Sequence, residues 1–454
     1  MDRAFSKPEA TDIEIFQLKS SGDGGPTGGV LRGEGPTQAA EKRRLFAITW
    51  ITYAGFYFCR KNLSIVLPLL EGSKGMGHLA LANIVFGYSL FYVIGQFACG
   101  LLSDRYGPRR VVGTGLIVVV ISNLMMCLHG TPLWLLCFAC LNGLGQSSGW
   151  SGLVKMMGNW FGGSRRGTVM AWWSTNYVLG GFLATAFATW TITQPLLLAG
   201  WGWRRGFLFP ALIVAAATLG FVLFAQDSPG RFQDRPMAES LAGAKQTGHQ
   251  WNFTDLMYLL SNKPVWAIGS SYFFLELCRY ALMFWLPYYL VNHLHFELGS
   301  SGYVSSLYEL AGVVGAVLAG YISDRYMQSR RAPVSAFMMC GFGLIVLLPV
   351  LYPQPGLVLT AIAISLAGVF TYGPDTLLSG AAAQDIGGIS TATSSGLIDG
   401  LGHLGSLLSP YLVIYVSAHY GWNLLFLLFF VAALLSAASL IPIWRMRPSD
   451  AQAR

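Results

Sequence analysis

Apolar runs of about twenty residues recur along the whole chain, set apart by short polar turns. Each is long enough to cross the ~30 Å hydrocarbon core of a bilayer as a helix. They fall near 45–70, 80–102, 111–129, 133–160, 167–194 and 206–226, and again near 264–292, 300–323, 334–352, 356–380, 389–416 and 422–444. Barrel strands are excluded, since each would show only ~10 residues of strict alternation. Two stretches break the pattern. Residues 1–44, with Ser20-Ser21-Gly22-Asp23-Gly24-Gly25 and Gly33-Glu34-Gly35-Pro36, read as a disordered tail. Residues 227–263, from Asp227-Ser228-Pro229-Gly230 onward, form a long polar interruption that divides the twelve segments six and six. The expected architecture is an all-α integral membrane protein: one six-helix bundle at 45–226, a linker at 227–263, a second bundle at 264–447 and a tail at 448–454.

Composition agrees. Of 454 residues, 54% are hydrophobic and 11% charged, with mean hydropathy +0.51; a soluble protein carries about 25% charged residues. Water-soluble enzymes, collagens, disulfide scaffolds and disordered chains are excluded. Lys42-Arg43-Arg44, Arg105, Arg109, Arg110, Arg165-Arg166, Arg325, Arg330, Arg331, Arg445 and Arg447 share one side when twelve helices are counted, as do the linker's Arg231, Arg235, Lys245 and Lys263. Both termini and the linker are therefore expected in the cytoplasm. Lys74 and Arg204-Arg205 fall on the other side, against the rule. The net charge of +8 is this inside bias, and no soluble module exists to carry a nucleic-acid footprint. The first apolar run starts too late and runs too long for a cleavable signal peptide, and neither end carries a lipidation motif. All seven cysteines lie in apolar segments and read as small core residues.

The chain repeats itself. Gly100-Leu101-Leu102-Ser103-Asp104-Arg105-Tyr106-Gly107-Pro108-Arg109-Arg110 follows the second segment, and Gly320-Tyr321-Ile322-Ser323-Asp324-Arg325, with Arg330-Arg331, follows the eighth, 220 residues later. Such a loop uses Gly for close helix packing, Asp to cap or pair, and Arg at helix C-termini. It resembles the signature loop of the major facilitator superfamily. That resemblance implies two six-helix halves related by an axis along the membrane normal, a site between them at mid-depth, and alternating access by rocking. Asp104, Arg105, Arg109, Asp324 and Arg325 are then expected at the gating interface between halves.

Charged residues inside apolar runs point to the chemistry. Arg60 and Lys61 interrupt the first segment; Glu276 and Arg279 interrupt the seventh. An Arg at a helix centre costs roughly 2.5–3.5 kcal/mol on insertion scales, so it faces protein or water. Snorkelling and a purely structural ion pair are the plain alternatives. The two arginines occupy corresponding helices of the two halves, which brings them face to face across a central cavity. Two guanidinium forks suit a tetrahedral oxyanion, and a phosphomonoester of charge about −1.5 to −2 needs two cations where a carboxylate needs one. Lys61 lies ~100° round the helix from Arg60, and pairing with Glu309 of the eighth segment is expected. Glu276, one turn before Arg279, is either its counter-ion in the empty state or a neutral acid. Asp399 and His403, four apart, are a proton-coupling pair or a polar patch lining the cavity. Gly143, Gly145, Gly149 and Gly152 are expected to pack helices closely, and Thr371-Tyr372-Gly373-Pro374 predicts a kink.

Together these motifs resemble the organophosphate:phosphate antiporters, the family of bacterial glycerol-3-phosphate and hexose-6-phosphate transporters and of the animal sugar-phosphate exchangers. The resemblance is carried by Arg60-Lys61-Asn62, Asn142-Gly143-Leu144, Gly149-Trp150, Gly158-Asn159-Trp160-Phe161, Arg279-Tyr280, Tyr308-Glu309, Tyr372-Gly373-Pro374 and Asp399-Gly400. It implies that Arg60 and Arg279 bind phosphate and that Tyr53, Tyr57 and Tyr372 line the substrate, with Tyr280 in the same cavity. Asn159 stands where the glycerol-3-phosphate transporters have a cavity histidine, His403 replaces a tyrosine, Gln96 a lysine and Phe284 an aspartate. The implied function is exchange of a phosphorylated sugar or glycerol-3-phosphate for inorganic phosphate, by a monomer in a bacterial inner membrane or an endoplasmic reticulum membrane. A sugar-phosphate sensor of the same build, or a proton-coupled exporter using Glu276, Asp399 and His403, are the alternatives. No enzyme, metal or cofactor is expected, since the seven histidines lack paired metal spacing and no Ser/His/Asp constellation occurs at a membrane face.

Overall fold

The computed structural model describes residues 36–161, 166–194, 198–227, 261–382 and 391–446. The expected tail over 1–35, most of the linker and the end of the chain lie outside the described residues. Among them the regular structure is helical, and the helices follow the apolar runs. They are α1 Pro36–Lys74, α2 His78–Tyr106, α3 Pro108–Leu128, α4 in two pieces (Pro132–Gln146 and Ser148–Trp160), α5 Arg166–Thr193 and α6 Arg205–Phe224. The second set is α7 Lys263–Asn292, α8 Leu298–Tyr326, α9 Arg331–Val346 with Leu348–Leu351, α10 Leu357–Asp375, α11 Thr391–His419 and α12 Trp422–Ser439. Residues 36–44, expected in the disordered tail, instead belong to α1. Pro36 presets the φ of a helix start, and Gln38, Ala39, Ala40, Glu41 and Lys42 are strong helix formers.

Among the described residues, eight helical spans are long and apolar enough to cross a membrane by length and composition; α1, α4, α5 and α7 are not among them. α1 and α7 carry Arg60, Lys61, Glu276 and Arg279, so the helices that dilute their hydropathy are those that bring charge to the interior.

The halves meet through α2 against α11 and α5 against α8. A twofold axis exchanging the halves turns one contact into the other. Packing inside the halves follows the same symmetry. A Cβ on Gly143 of α4 would stand 2.2 Å from the Tyr88 carbonyl oxygen of α2, and one on Gly368 of α10 would stand 2.1 Å from that of Tyr308 on α8. Tyr88 and Tyr308 are offset by the same 220 residues as the loop motifs. Gly100 and Gly320, expected to permit close packing, face open space instead. The loop glycine that is sterically required is Gly107, with φ +86° and the Asp227 carboxylate beside it.

Two helices depart from regularity at polar residues. α4 breaks at Ser147, where the Ser147 and Ser148 hydroxyls donate to the carbonyls of Leu144 and Gly145, 2.6 and 2.8 Å away, and bend the helix. The expected irregularity in α10 is a π-helical stretch, Thr376–Ala382, that begins two residues after Pro374. Arg205, an exception to the charge rule, is buried and donates to the carbonyls of Ile192 and Gln194 at the end of α5. It serves as a cationic cap for that helix terminus.

Candidate phosphate-binding site between the halves

Arg60 is 5% exposed, far from either end of α1. Its guanidinium lies 4.7 Å from the ring centroids of Tyr57 and of Tyr92 on α2, and Nη2 donates to Gln146 Oε1 of α4 at 3.3 Å. Gln146 is held in turn by donating to the Phe56 carbonyl at 2.8 Å. No carboxylate lies within ion-pair distance of Arg60 among the described residues, and its Nε is buried without a partner. A cation cradled by ring faces and one amide is fixed in place while its charge stays uncompensated.

Arg279 is different. Nη1 donates to Glu276 Oε1 at 2.8 Å, and Nη2 stands 3.6 Å from Asp375 Oδ2 of α10. Its guanidinium lies 4.8 Å from the Tyr372 ring and 5.9 Å from that of Tyr280. Asp375 also accepts from the Tyr272 hydroxyl at 2.9 Å. The two arginines are thus not equivalent: Arg279 is paired, Glu276 taking the counter-ion place expected of it, while Arg60 is not.

Two chains of contact cross between the halves, one starting at Arg60 and one at Lys61. One runs from Arg60 through Tyr92 to His403 of α11 and on to Tyr280 and Arg279; the His403 ring meets Tyr92 edge-on at 5.9 Å and Tyr280 at 6.2 Å. The other runs from Lys61 to Glu309, which also accepts from the Tyr372 hydroxyl, whose ring carries Arg279. Lys61 and Glu309 are both buried and ion-paired.

The remaining predicted residues divide. Tyr53 sits one turn from Tyr57, in an aromatic group with Trp150 and Trp173. Asp399 lies on α11 one turn before His403, whose Nδ1 is buried without a partner. Asn159 is not brought to either arginine. It is exposed near the end of α4 and donates to the Asp227 carbonyl at 3.1 Å, because thirteen residues of helix separate it from Gln146, the α4 residue that reaches Arg60. Around the repeated loops, Arg109 bonds to Asp227 and to the Val222 carbonyl, and Asp324 pairs with Arg331 at 2.5 Å. These contacts stay within their own halves. Arg105 and Arg325 are exposed, and the Asp104 side chain lies outside the described residues.

Sequence reasoning passed over Gln146, Tyr92, Tyr272 and Asp375. Asp375 carried a signal, since it is an acid inside an apolar run, the same anomaly that marked Arg60. Gln146 was hidden in a glycine-rich stretch that reads as packing.

Comparison with known proteins adds to the geometry. The pattern of the Major Facilitator Superfamily matches residues 49–399. The chain is 30% identical over 422 residues to the glycerol-3-phosphate transporter of Bacillus subtilis, covering 89% of this chain and 94% of that protein. It is 26% identical to a probable hexose phosphate transport protein of Chlamydia trachomatis, covering 89% and 91%. It is 27% identical to the membrane sensor protein UhpC of Salmonella typhimurium, covering 88% and 91%. In fold it is similar to a bacterial homologue of the human lysosomal transporter Spinster in an inward-facing, unoccupied conformation, with TM-score 0.67, 14% identity and coverage of 90% and 95%.

Proposed function

The chain belongs to the major facilitator superfamily, and from that premise we propose that it exchanges a phosphorylated sugar or glycerol phosphate for inorganic phosphate, with the phosphate held between Arg60 and Arg279. Membership makes it a membrane transporter and not an enzyme. The observation that carries the reading is Arg60: a buried, uncompensated guanidinium at mid-depth is costly in a membrane protein unless it awaits an anion. The names of the relatives supply the class of anion.

Bound phosphate takes donors from both halves and draws them together, so that a loaded carrier crosses between states more readily than an empty one. That differential stabilisation is what obligatory exchange requires. The monomer sits with the Arg105, Arg109, Asp324 and Arg325 end in the cytoplasm, in a bacterial inner membrane.

The test is exchange of radiolabelled phosphate in proteoliposomes preloaded with phosphate, competed by glycerol-3-phosphate and glucose-6-phosphate. Exchange is expected, with one organophosphate blocking it. Arg60→Lys keeps the charge and loses the bidentate fork and ring contacts, and is expected to lower exchange by about tenfold or more. Full exchange by Arg60→Lys would remove Arg60 from the site. Because one relative is named a sensor, binding without measurable flux would mark that reading instead.

A further inference from the structure

Two acids hold Arg279, and they cannot both be charged. Glu276 of α7 is 1% exposed and its Oε1 accepts from Arg279 Nη1 at 2.8 Å. Asp375 of α10 is buried, accepts the Tyr272 hydroxyl on Oδ1 at 2.9 Å and keeps Oδ2 3.6 Å from Arg279 Nη2. The two carboxyls lie within hydrogen-bond reach of each other. Glu276 Oε2 is buried, and no N–H or O–H of the described residues donates to it. Two carboxylate oxygens repel; a proton between them supplies the donor, and buried carboxyls in contact hold it jointly. The pair then carries a single negative charge, which balances Arg279, while the charge of Arg60 is left over.

Phosphate changes this balance. A dianion that bridges the two guanidiniums matches their charge and takes Arg279 from the acids, whose own charge is left buried without a counter-ion. A second proton, arriving from water with the anion, restores neutrality. It bonds to Glu276 Oε1, the atom that Arg279 vacates, and both acids are then uncharged. We infer that the Glu276–Asp375 pair is a proton-binding site loaded together with the substrate, so that each phosphate dianion enters with one proton held by the protein. This rests on the phosphate site proposed above. Exchange of one dianion for another then returns a proton for each proton carried.

The groups that face the pair are Arg279, Tyr272 and Tyr280 of α7, Tyr308 of α8, Tyr177 of α5, and Asp399 and His403 of α11. Arginine and tyrosine hold their charge state between about pH 6 and 9, so Asp399 and His403 are the competing proton acceptors. The experiment is thermal unfolding of the purified full-length protein titrated with sulfate, and in parallel with inorganic phosphate, across that range. Sulfate is a tetrahedral dianion throughout, so any pH slope in its affinity belongs to the protein. It is expected to bind, with affinity falling by up to about tenfold per pH unit, the linkage of one proton per ligand. Combining Glu276→Gln with Asp375→Asn is expected to flatten that slope, while Asp399→Asn and His403→Gln are each expected to preserve it. A flat slope in the unmodified protein overturns the inference whether or not the double variant folds, as does a slope that survives the double variant. Phosphate binding with sulfate rejected puts the proton on the ligand, which overturns the inference and leaves the phosphate site standing. Binding of neither anion overturns the phosphate site, and the inference with it.

Discussion

Lys61 shows how one buried side chain ties two halves of a protein together. It follows Arg60 by a single residue, yet the ~100° turn per residue sends it away from the aromatic cradle and onto Glu309 of the other half. Glu309 accepts a second hydrogen bond from Tyr372, so the carboxylate is satisfied from both sides. Breaking a buried pair from one side strands the other charge, at a cost of about 3–5 kcal/mol, whereas removing both charges together costs far less. Glu309→Gln alone is therefore expected to lower the melting temperature of the purified protein markedly. Lys61→Met combined with Glu309→Gln is expected to recover most of the loss, because Gln still accepts from Tyr372. A single Glu309→Gln variant as stable as the parent would show that Lys61 finds another anion. The pair was legible in the sequence because each member violates an apolar run. The loading of Arg279 by Asp375 was not, because it depends on how α10 and α7 rotate against each other.

Among the elements, α2–α4 and α8–α10 are the same packing unit used twice. In both, a glycine lets a backbone carbonyl of the partner helix come to where a Cβ would otherwise be. A helix carbonyl cannot rotate aside as a side chain can, so the whole helix must shift, at a cost of ~1–3 kcal/mol for one added methyl. Gly143→Ala and Gly368→Ala are thus each expected to reduce the yield and melting temperature of folded protein. Gly100→Ala and Gly320→Ala, with nothing within 4 Å of the added carbon, are expected to be silent in the same assay. Helix positions could be read from hydropathy alone, since each run is set by the bilayer it crosses. The break at Ser147 could not, because the serines that cause it look like ordinary polar residues until their hydroxyls choose the carbonyls of the preceding turn. Asn159 resembles a site residue by motif alone: thirteen residues along α4 from Gln146, it lies at the exposed end of the helix.

At the scale of the whole molecule, the contacts between halves are unevenly placed. Lys61–Glu309 and Tyr92–His403 lie at mid-depth. Tyr411 of α11 donates to Asn83 of α2 at 2.9 Å, and Asn292, the last residue of α7, donates to Glu71 near the end of α1. Glu71 also bonds to His78 at 2.7 Å, so it gathers both sides of the α1–α2 turn onto α7. At the other end, the polar contacts of the repeated loops stay within each half among the described residues. The structure is therefore closed at the α1–α2 and α7–α8 turns. If the halves rock about the central site, Glu71 and Asn292 must part in every cycle. Replacing both by cysteine, with the native cysteines removed, makes this measurable. Oxidation is expected to join the two turns and stop phosphate exchange in proteoliposomes, and reduction to restore it. Saturating phosphate is expected to slow the cross-link, since loaded carriers spend part of their time with this end open. Full exchange by the cross-linked protein would mean that the halves do not separate there, and that substrate passes without the alternation the paired bundles imply.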